Sequence, residues 1–159
     1  MINRTLLQTI SIFADMPIHI YNENGECIDK YEKVSRLDNE YERNLTKIIL
    51  QMLDTEIFVF HEFENGFPVA MYGCKSTKER YILGPFAYAQ TENEKLQKFM
   101  NREGISDFPR IPFRNSILSI QMLLNEIVGE EEAKKMMDPY LTFDEDQHMV
   151  IEELRQEDN

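Results

Sequence analysis

Residues 57–86 read IFVFHEFENGFPVAMYGCKSTKERYILGPF, which is three short runs of aromatic and β-branched residues separated by two turns. Asn65-Gly66 divides the first two runs, and the polar residues 75–79 divide the last two. A type I′ turn needs positive φ at both central positions, and Asn-Gly adopts that conformation at little cost. The stretch therefore predicts an antiparallel meander of three strands.

Both faces of this predicted meander carry apolar side chains. Along its first run, Phe58 and Phe60 point to one face, while Ile57 and Val59 point to the other, because successive side chains of a strand alternate. A sheet with two apolar faces has to be covered on both sides. We expect helices elsewhere in the chain to cover one face, and a ligand or a partner to cover part of the other.

The residues before the meander predict two helices and a second hairpin. Residues 2–16 place apolar side chains at helical spacing and end before Pro17. Residues 17–31 contain a second Asn-Gly turn, at Asn24-Gly25, between two strand-like runs. A helix from Asp38 or Asn39 to residue 54 has the clearest apolar stripe, so we expect it to pack on the central sheet.

Helices are also predicted after the meander. Residues 91–102 begin with Thr91 followed three positions later by Glu94, the pattern of a capping box. The two prolines in residues 109–112 predict an extended connector. Residues 115–128 form a strongly apolar helix with Asn115 or Ser116 as its cap, and Gly129 ends it. Residues 130–138 are a charged helical piece broken by Pro139, and residues 144–156 are a further acidic segment.

This order of elements predicts the α+β class, with a five-stranded antiparallel sheet and flanking helices. Two strands, a covering helix and three more strands resemble a PAS or GAF-like sensor fold, a comparison made at the level of the fold alone. We expect residues 1–129 to form the sensory domain and residues 130–159 to form an acidic helical tail or linker.

Composition excludes several classes of function. The 159 residues carry a formal net charge of -12 and an isoelectric point near 4.7, whereas nucleic-acid binding depends on clustered Lys and Arg. No apolar run is long enough to span a membrane, and the N-terminus has no signal-peptide pattern. We therefore expect a cytoplasmic protein that itself binds neither nucleic acid nor membrane, with Cys27 and Cys74 reduced.

Several short motifs resemble the N-terminal sensory region of Gram-positive AraC-type transcription regulators. They are IHIY at 18–21 leading into NG at 24–25, YG at 72–73, YILGPF at 81–86, and RIP at 110–112 before an apolar helix. The resemblance covers roughly residues 5–128. It implies a domain that regulates a following pair of helix-turn-helix units through ligand binding or dimerisation. Nothing after Gly129 has the length or basic charge of those units, so we expect either the sensory half of a longer protein or a stand-alone relative acting by protein contact.

No motif in the sequence predicts catalysis or a metal. The chain has no GxSxG, GxGxxG or GxxxxGK[ST] pattern, so we expect no enzymatic activity and no cofactor. An enzyme acting on a small acid-labile substrate has only scattered carboxylates in its favour. The three histidines, His19, His61 and His148, lack the spacing of a helical metal site.

A small-molecule effector is predicted to bind between the central sheet and the helix at residues 38–54. If the strands pair in register, the candidate ligand-binding residues share one face: Phe58, Phe60, Tyr72, Cys74, Tyr81 and Leu83. The alternative is that these side chains form a closed core with no room for a ligand.

A homodimer is predicted from the apolar surface of two helices. The helix at residues 115–128 is apolar over more than half its circumference, so part of it has to meet a second surface. The candidate interface residues on this helix and on the first helix are Leu6, Ile10, Phe13, Ile120 and Leu124. A stand-alone protein–protein interaction module without a ligand is the alternative function.

Overall fold

The structure is a computed structural model that describes residues 2–32, 40–63 and 69–141. Its helices are α1 (Arg4–Ala14), α2 (Glu40–Met52), α3 (Asn93–Glu103), α4 (Phe113–Val128) and α5 (Glu130–Leu141). Its strands are β1 (Ile18–Asn22), β2 (Cys27–Tyr31), β3 (Phe58–Phe63), β4 (Val69–Lys75), β5 (Glu79–Tyr88) and β6 (Arg110–Ile111).

One mostly antiparallel sheet connects all six strands. Five of them lie in the order β2-β1-β5-β4-β3, and the short β6 pairs parallel to β5. The predicted α+β class is confirmed, and so are the β1–β2 hairpin and the β3–β4–β5 meander. The sheet has six strands rather than the predicted five, because the connector between Pro109 and Pro112 hydrogen-bonds to β5.

The first hairpin turn is organised by the side chain of Asn22. Its Oδ1 accepts hydrogen bonds from the backbone N–H groups of Asn24 at 2.9 Å and Glu26 at 3.0 Å. Gly25 completes the turn with φ of +80°, a conformation that other residues rarely adopt. The predicted Asn65-Gly66 turn, the predicted cap at Asp38 or Asn39, and residues 144–156 lie outside the described residues.

Three details of the helices differ from the predictions. Helix α3 begins at Asn93 without a side-chain cap, because Thr91 instead belongs to the preceding turn, where its N–H donates to the carbonyl of Tyr88. Helix α4 begins two residues early, at Phe113, directly after the extended Pro112. Helix α5 continues through Pro139 and ends two residues later at Leu141, so the hydrogen bond that proline cannot donate is lost only at the end of the helix.

Helices cover both faces of the sheet. Helices α1, α4 and α5 share one apolar core with Ile18, Ile20 and other side chains on the first face. Helices α2 and α3 share the second core, on the opposite face. Gly73 lets α2 approach closely there, since a Cβ at this position would lie 2.5 Å from Cγ2 of Ile49. The described part of the predicted tail also joins the first core, because Ala133 and Met137 of α5 are fully buried.

Candidate functional site

The six candidate ligand-binding residues do share one face of the sheet. Phe58 lies opposite Cys74, which lies opposite Tyr81. In the neighbouring row, Phe60 lies opposite Tyr72, which lies opposite Leu83. The register of the three strands therefore agrees with the alternation that the sequence predicts.

The location predicted for this set is wrong, because its side chains point away from α2 and towards α4. The phenol oxygen of Tyr72 lies 3.2 Å from Oγ of Ser116 on α4. Side chains of the intervening residues, such as Met71 and Ile82, meet α2 on the other face. The alternation of side chains along β4 explains which face meets α2. Gly73 lies on that face and lets α2 approach closely, whereas Tyr72 and Cys74 would block the approach.

These side chains fill the space between the sheet and α4. Tyr72, Cys74, Tyr81 and Leu83 have no solvent exposure, and the ring of Tyr72 stacks on those of Phe58 and Phe60. Burial raises the pKa of the Cys74 thiol, which keeps this group neutral and unreactive. The geometry agrees with the closed core that the sequence left as the alternative.

The candidate interface residues are partly buried in the core and partly exposed to solvent. Ile10, Ile120 and Leu124 are buried in the first core, so they present no surface to a partner, and Leu6 is half-buried. Only Phe13 of this set is well exposed, at 83%. The apolar side chains that do face solvent on these helices also include Ile12, Leu118 and Met122. We call Ile12, Phe13, Leu118 and Met122 the outer apolar surface.

A groove of about 560 Å³ lies at the edge of the sheet. We call it the α1–β2 groove, because the last turns of α1 and the end of β2 form two of its walls. Residues 107–110, which lead into β6, form the third. Its lining residues are Gln8, Ser11, Ile12, Asp15, Met16, Pro17, Lys30, Tyr31, Glu32, Asp107, Phe108, Pro109 and Arg110.

The groove exists because β1 and β6 pair with different parts of β5. Ile18 at the start of β1 lies opposite Leu83, whereas Arg110 lies beside Ala87 further along the same strand. The chain enters β1 through Pro17, whose carbonyl accepts a hydrogen bond from the N–H of Gly84 at 2.9 Å. The groove lies at this junction between the two short strands.

A buried hydrogen bond between His19 and Glu32 lies along one wall of the groove. Nε2 of His19 and Oε2 of Glu32 are 2.7 Å apart, and the side chains are only 2% and 4% exposed. Nζ of Lys30 lies 3.9 Å from the second carboxylate oxygen of Glu32. These contacts hold Glu32 in one position. In the described part of the chain, Nδ1 of His19 has no hydrogen-bond partner.

Arg110 holds the opposite wall. Its guanidinium donates to the carbonyl of Ala89 at 2.9 Å, to the carbonyl of Thr91, and to Oδ1 of Asn93. All three acceptors are neutral, so within the described residues no carboxylate neutralises this charge. Nε of Arg110 is buried and has no hydrogen-bond partner among those residues. Three of the five N–H donors of the guanidinium are used, so the group is fixed in place and retains two donors without an acceptor among the described residues.

A second polar network attaches the beginning of α1 to the sheet. Nη2 of Arg4 donates to Oε2 of Glu79 at 2.8 Å, and the Tyr81 hydroxyl donates to the other oxygen. Burial raises the pKa of Glu79, but these two hydrogen bonds and the Arg4 charge outweigh it, so the pKa lies below its usual value. Burial and the bond to Glu79 raise the pKa of Tyr81 to about 12. Helix α1 is thus fixed at its start and borders the groove at its end.

Other site types find no support in the described ranges 2–32, 40–63 and 69–141. No group of three or more His, Cys, Asp or Glu side chains there is arranged to hold a metal. No helix in those ranges is long and apolar enough to cross a membrane.

A scan against protein-family models gives no match, and searches of curated proteins and of solved structures give no significant match.

No sequence pattern predicts the groove, because its residues come from three separate segments, 8–17, 30–32 and 107–110. Arg110 contributed to the family resemblance, but no periodic pattern connects it to Glu32 or to α1. The contact of His19 on β1 with Glu32, which follows β2, has no local sequence signal, because strand pairing brings the two residues together.

Proposed function

We propose that the chain is the ligand-sensing and dimerisation domain of an AraC-type transcription regulator, with a PAS/GAF-like arrangement, and that the effector binds in the α1–β2 groove. The observation that carries the proposal is the groove itself. Its volume of about 560 Å³ falls within the range of small-molecule sites, ~300–1,000 Å³. It also combines apolar walls with a few fixed polar groups, as such sites do.

The position of the groove supports a regulatory role. Helix α1 forms one wall, α1 packs against α4, and α4 packs against α5. A ligand that moves α1 therefore changes the surface on which two further helices rest. Packed helices shift between discrete arrangements, whereas hydrogen-bonded strands hold their register. This route leads from the groove to the C-terminal end of the described chain.

A library screen by thermal shift tests the sensing proposal. We expect at least one small metabolite to raise the melting temperature of the chain, and Ile12→Trp to abolish that shift. Ile12 lines the groove and is 71% exposed, so a larger side chain there obstructs the groove without disturbing the core.

Thr9→Trp is the matched control, because Thr9 is exposed on the same helix but does not line the groove. The sensing proposal fails if no compound shifts the melting temperature, or if both tryptophan variants respond like the parent chain.

An interaction module without a ligand is the second candidate, and the outer apolar surface favours it. Phe13 and Ile12 are 83% and 71% exposed, and the neighbouring α4 exposes Leu118 and Met122. Large apolar side chains on adjoining helices usually mark an interface. We expect sedimentation to show a dimer that Phe13→Glu converts to a folded monomer, whereas Thr9→Glu leaves it intact. A parent chain that stays monomeric at high micromolar concentration contradicts this candidate.

A further inference from the structure

We propose that the ligand of the α1–β2 groove is a small carboxylate with an apolar body, and that Arg110 binds its anionic group. This inference rests on the proposed sensing function and adds the chemical class of the ligand. It depends on the charge balance at the groove, on the geometry of Arg110, and on the apolar part of the lining.

The charge of Arg110 favours an anion at its end of the groove, although three carboxylates also line the groove. Glu32 contacts His19 and Lys30, and neither Asp15 nor Asp107 lacks an interaction of its own. Arg110 is the exception, because its contacts in the described chain are two carbonyls and one amide oxygen, none of which carries a charge. A partly buried guanidinium favours an anionic partner over a neutral one.

The geometry of Arg110 supplies a donor for that partner. Nη2 donates to the carbonyls of Ala89 and Thr91, and Nη1 donates one of its two N–H groups to Oδ1 of Asn93, which fixes the plane of the guanidinium. Nε is buried and has no acceptor within the described part of the chain. Because Nε is closed off from solvent, the carboxylate of a ligand meets the part of the guanidinium that lines the groove, where an Nη–H donates a charge-assisted hydrogen bond.

The remaining lining selects the body of the ligand. Met16, Pro17, Phe108 and Pro109 contribute apolar walls, and Ile12 closes the groove from α1. An aliphatic or aromatic group buries its surface against these side chains, whereas inorganic phosphate makes no use of them. The lining therefore favours an organic acid with an apolar chain over a compact, strongly hydrated anion.

Four simple probes separate the alternatives: hexanoate, hexanol, hexylamine and inorganic phosphate. We expect ligand-observed NMR titrations to show hexanoate binding at least about tenfold more tightly than the other three, a typical factor for one charge-assisted hydrogen bond. Arg110→Gln should weaken hexanoate binding by about the same factor. Arg114→Gln is the control, since Arg114 is exposed and lies outside the groove.

A second pair of variants leaves the contacts of Arg110 untouched, in case Arg110→Gln disturbs folding. Ile12→Glu adds a negative charge to the wall, and Ile12→Gln adds the same shape without the charge. We expect the Glu variant to bind hexanoate at least about threefold more weakly than the Gln variant, a modest factor because exposed charges are screened. Equal binding by the two variants overturns the inference.

The failure of this inference differs from the failure of the sensing proposal. If hexanol or hexylamine binds as tightly as hexanoate, and Ile12→Trp blocks the binding, the groove is a ligand site but its ligand is not an anion. If phosphate binds as tightly as hexanoate, the apolar body is irrelevant and the inference is wrong. If neither these probes nor any library compound binds, the sensing function fails as well.

Discussion

The close contact between Gly73 and α2 leads to a quantitative prediction for Gly73→Ala. The new methyl group would lie 2.5 Å from Cγ2 of Ile49 and 3.1 Å from Cδ1 of Leu53. Ile49 and Leu53 are fully buried, and a β-branched side chain on a helix has essentially one rotamer. The contact therefore cannot be relieved by a small rotation. Either the helix or the strand has to move.

The expected cost combines two opposing effects. Adding a methylene-sized group to a packed core costs about 1–3 kcal/mol. Replacing glycine within a strand returns roughly 0.5–1 kcal/mol, because glycine loses more backbone freedom on folding. We expect a net destabilisation of about 1–2 kcal/mol, which corresponds to a fall in melting temperature of about 2–8 °C for a chain of this size.

Urea and thermal unfolding followed by circular dichroism measure this change, and Ile49→Leu serves as the control. Leucine keeps the volume of isoleucine but lacks the Cγ2 atom that meets the new methyl group. The double variant Gly73→Ala/Ile49→Leu should therefore be more stable than the sum of the single changes predicts. An unchanged or raised melting temperature for Gly73→Ala, or strictly additive effects, would refute the packing argument.

Three further predictions concern buried polar groups and thiols. Folding lowers the pKa of Glu79, so the stabilisation by its carboxylate is complete above the ordinary carboxyl pKa of 4.5 and is lost as the pH falls below that value. The melting temperatures of the parent chain and Glu79→Gln should therefore converge in acid. A difference that stays constant with pH contradicts this prediction. Tyr72→Phe removes the contact with Ser116 and should cost about 0.5–1.5 kcal/mol in urea unfolding, whereas no loss would mean that the hydroxyl pair contributes nothing. A thiol reagent should modify the exposed Cys27 in the native chain and the buried Cys74 only after denaturation, which mass spectrometry detects; rapid native labelling of Cys74 excludes the closed core.

The parts of the fold that local sequence determines were predictable. The hairpin at Asn24-Gly25 depends on turn residues that lie next to each other in the chain. The stripe of α2 appears within one window of sequence, and so does the alternation that places Tyr72 and Cys74 on one face. In each case the residues that decide the structure are a few positions apart, so the periodicity of the local sequence is sufficient to predict the element.

The choice of face for each helix was not predictable in the same way. Both faces of the meander are apolar, so hydrophobicity does not say which of them meets α2 and which meets α4. The decision depends on the absence of a side chain at Gly73 and on the contact between Tyr72 and Ser116, residues 44 positions apart. The same limit applies to the groove, because Glu32 and Arg110 lie far apart in the sequence and line the same groove only in the folded chain.

Helix α1 connects the two proposed activities within a single element. Ile12 lines the groove and Phe13, the next residue, is the most exposed member of the outer apolar surface. Because Arg4 and Glu79 fix the start of the helix, a ligand that contacts Ile12 acts mainly on its far end. A rotation of that end displaces Phe13 together with Ile12, since successive helical residues are rigidly related at about 100° per residue. The two proposals together therefore predict that ligand binding and dimerisation are coupled, and neither proposal excludes the other.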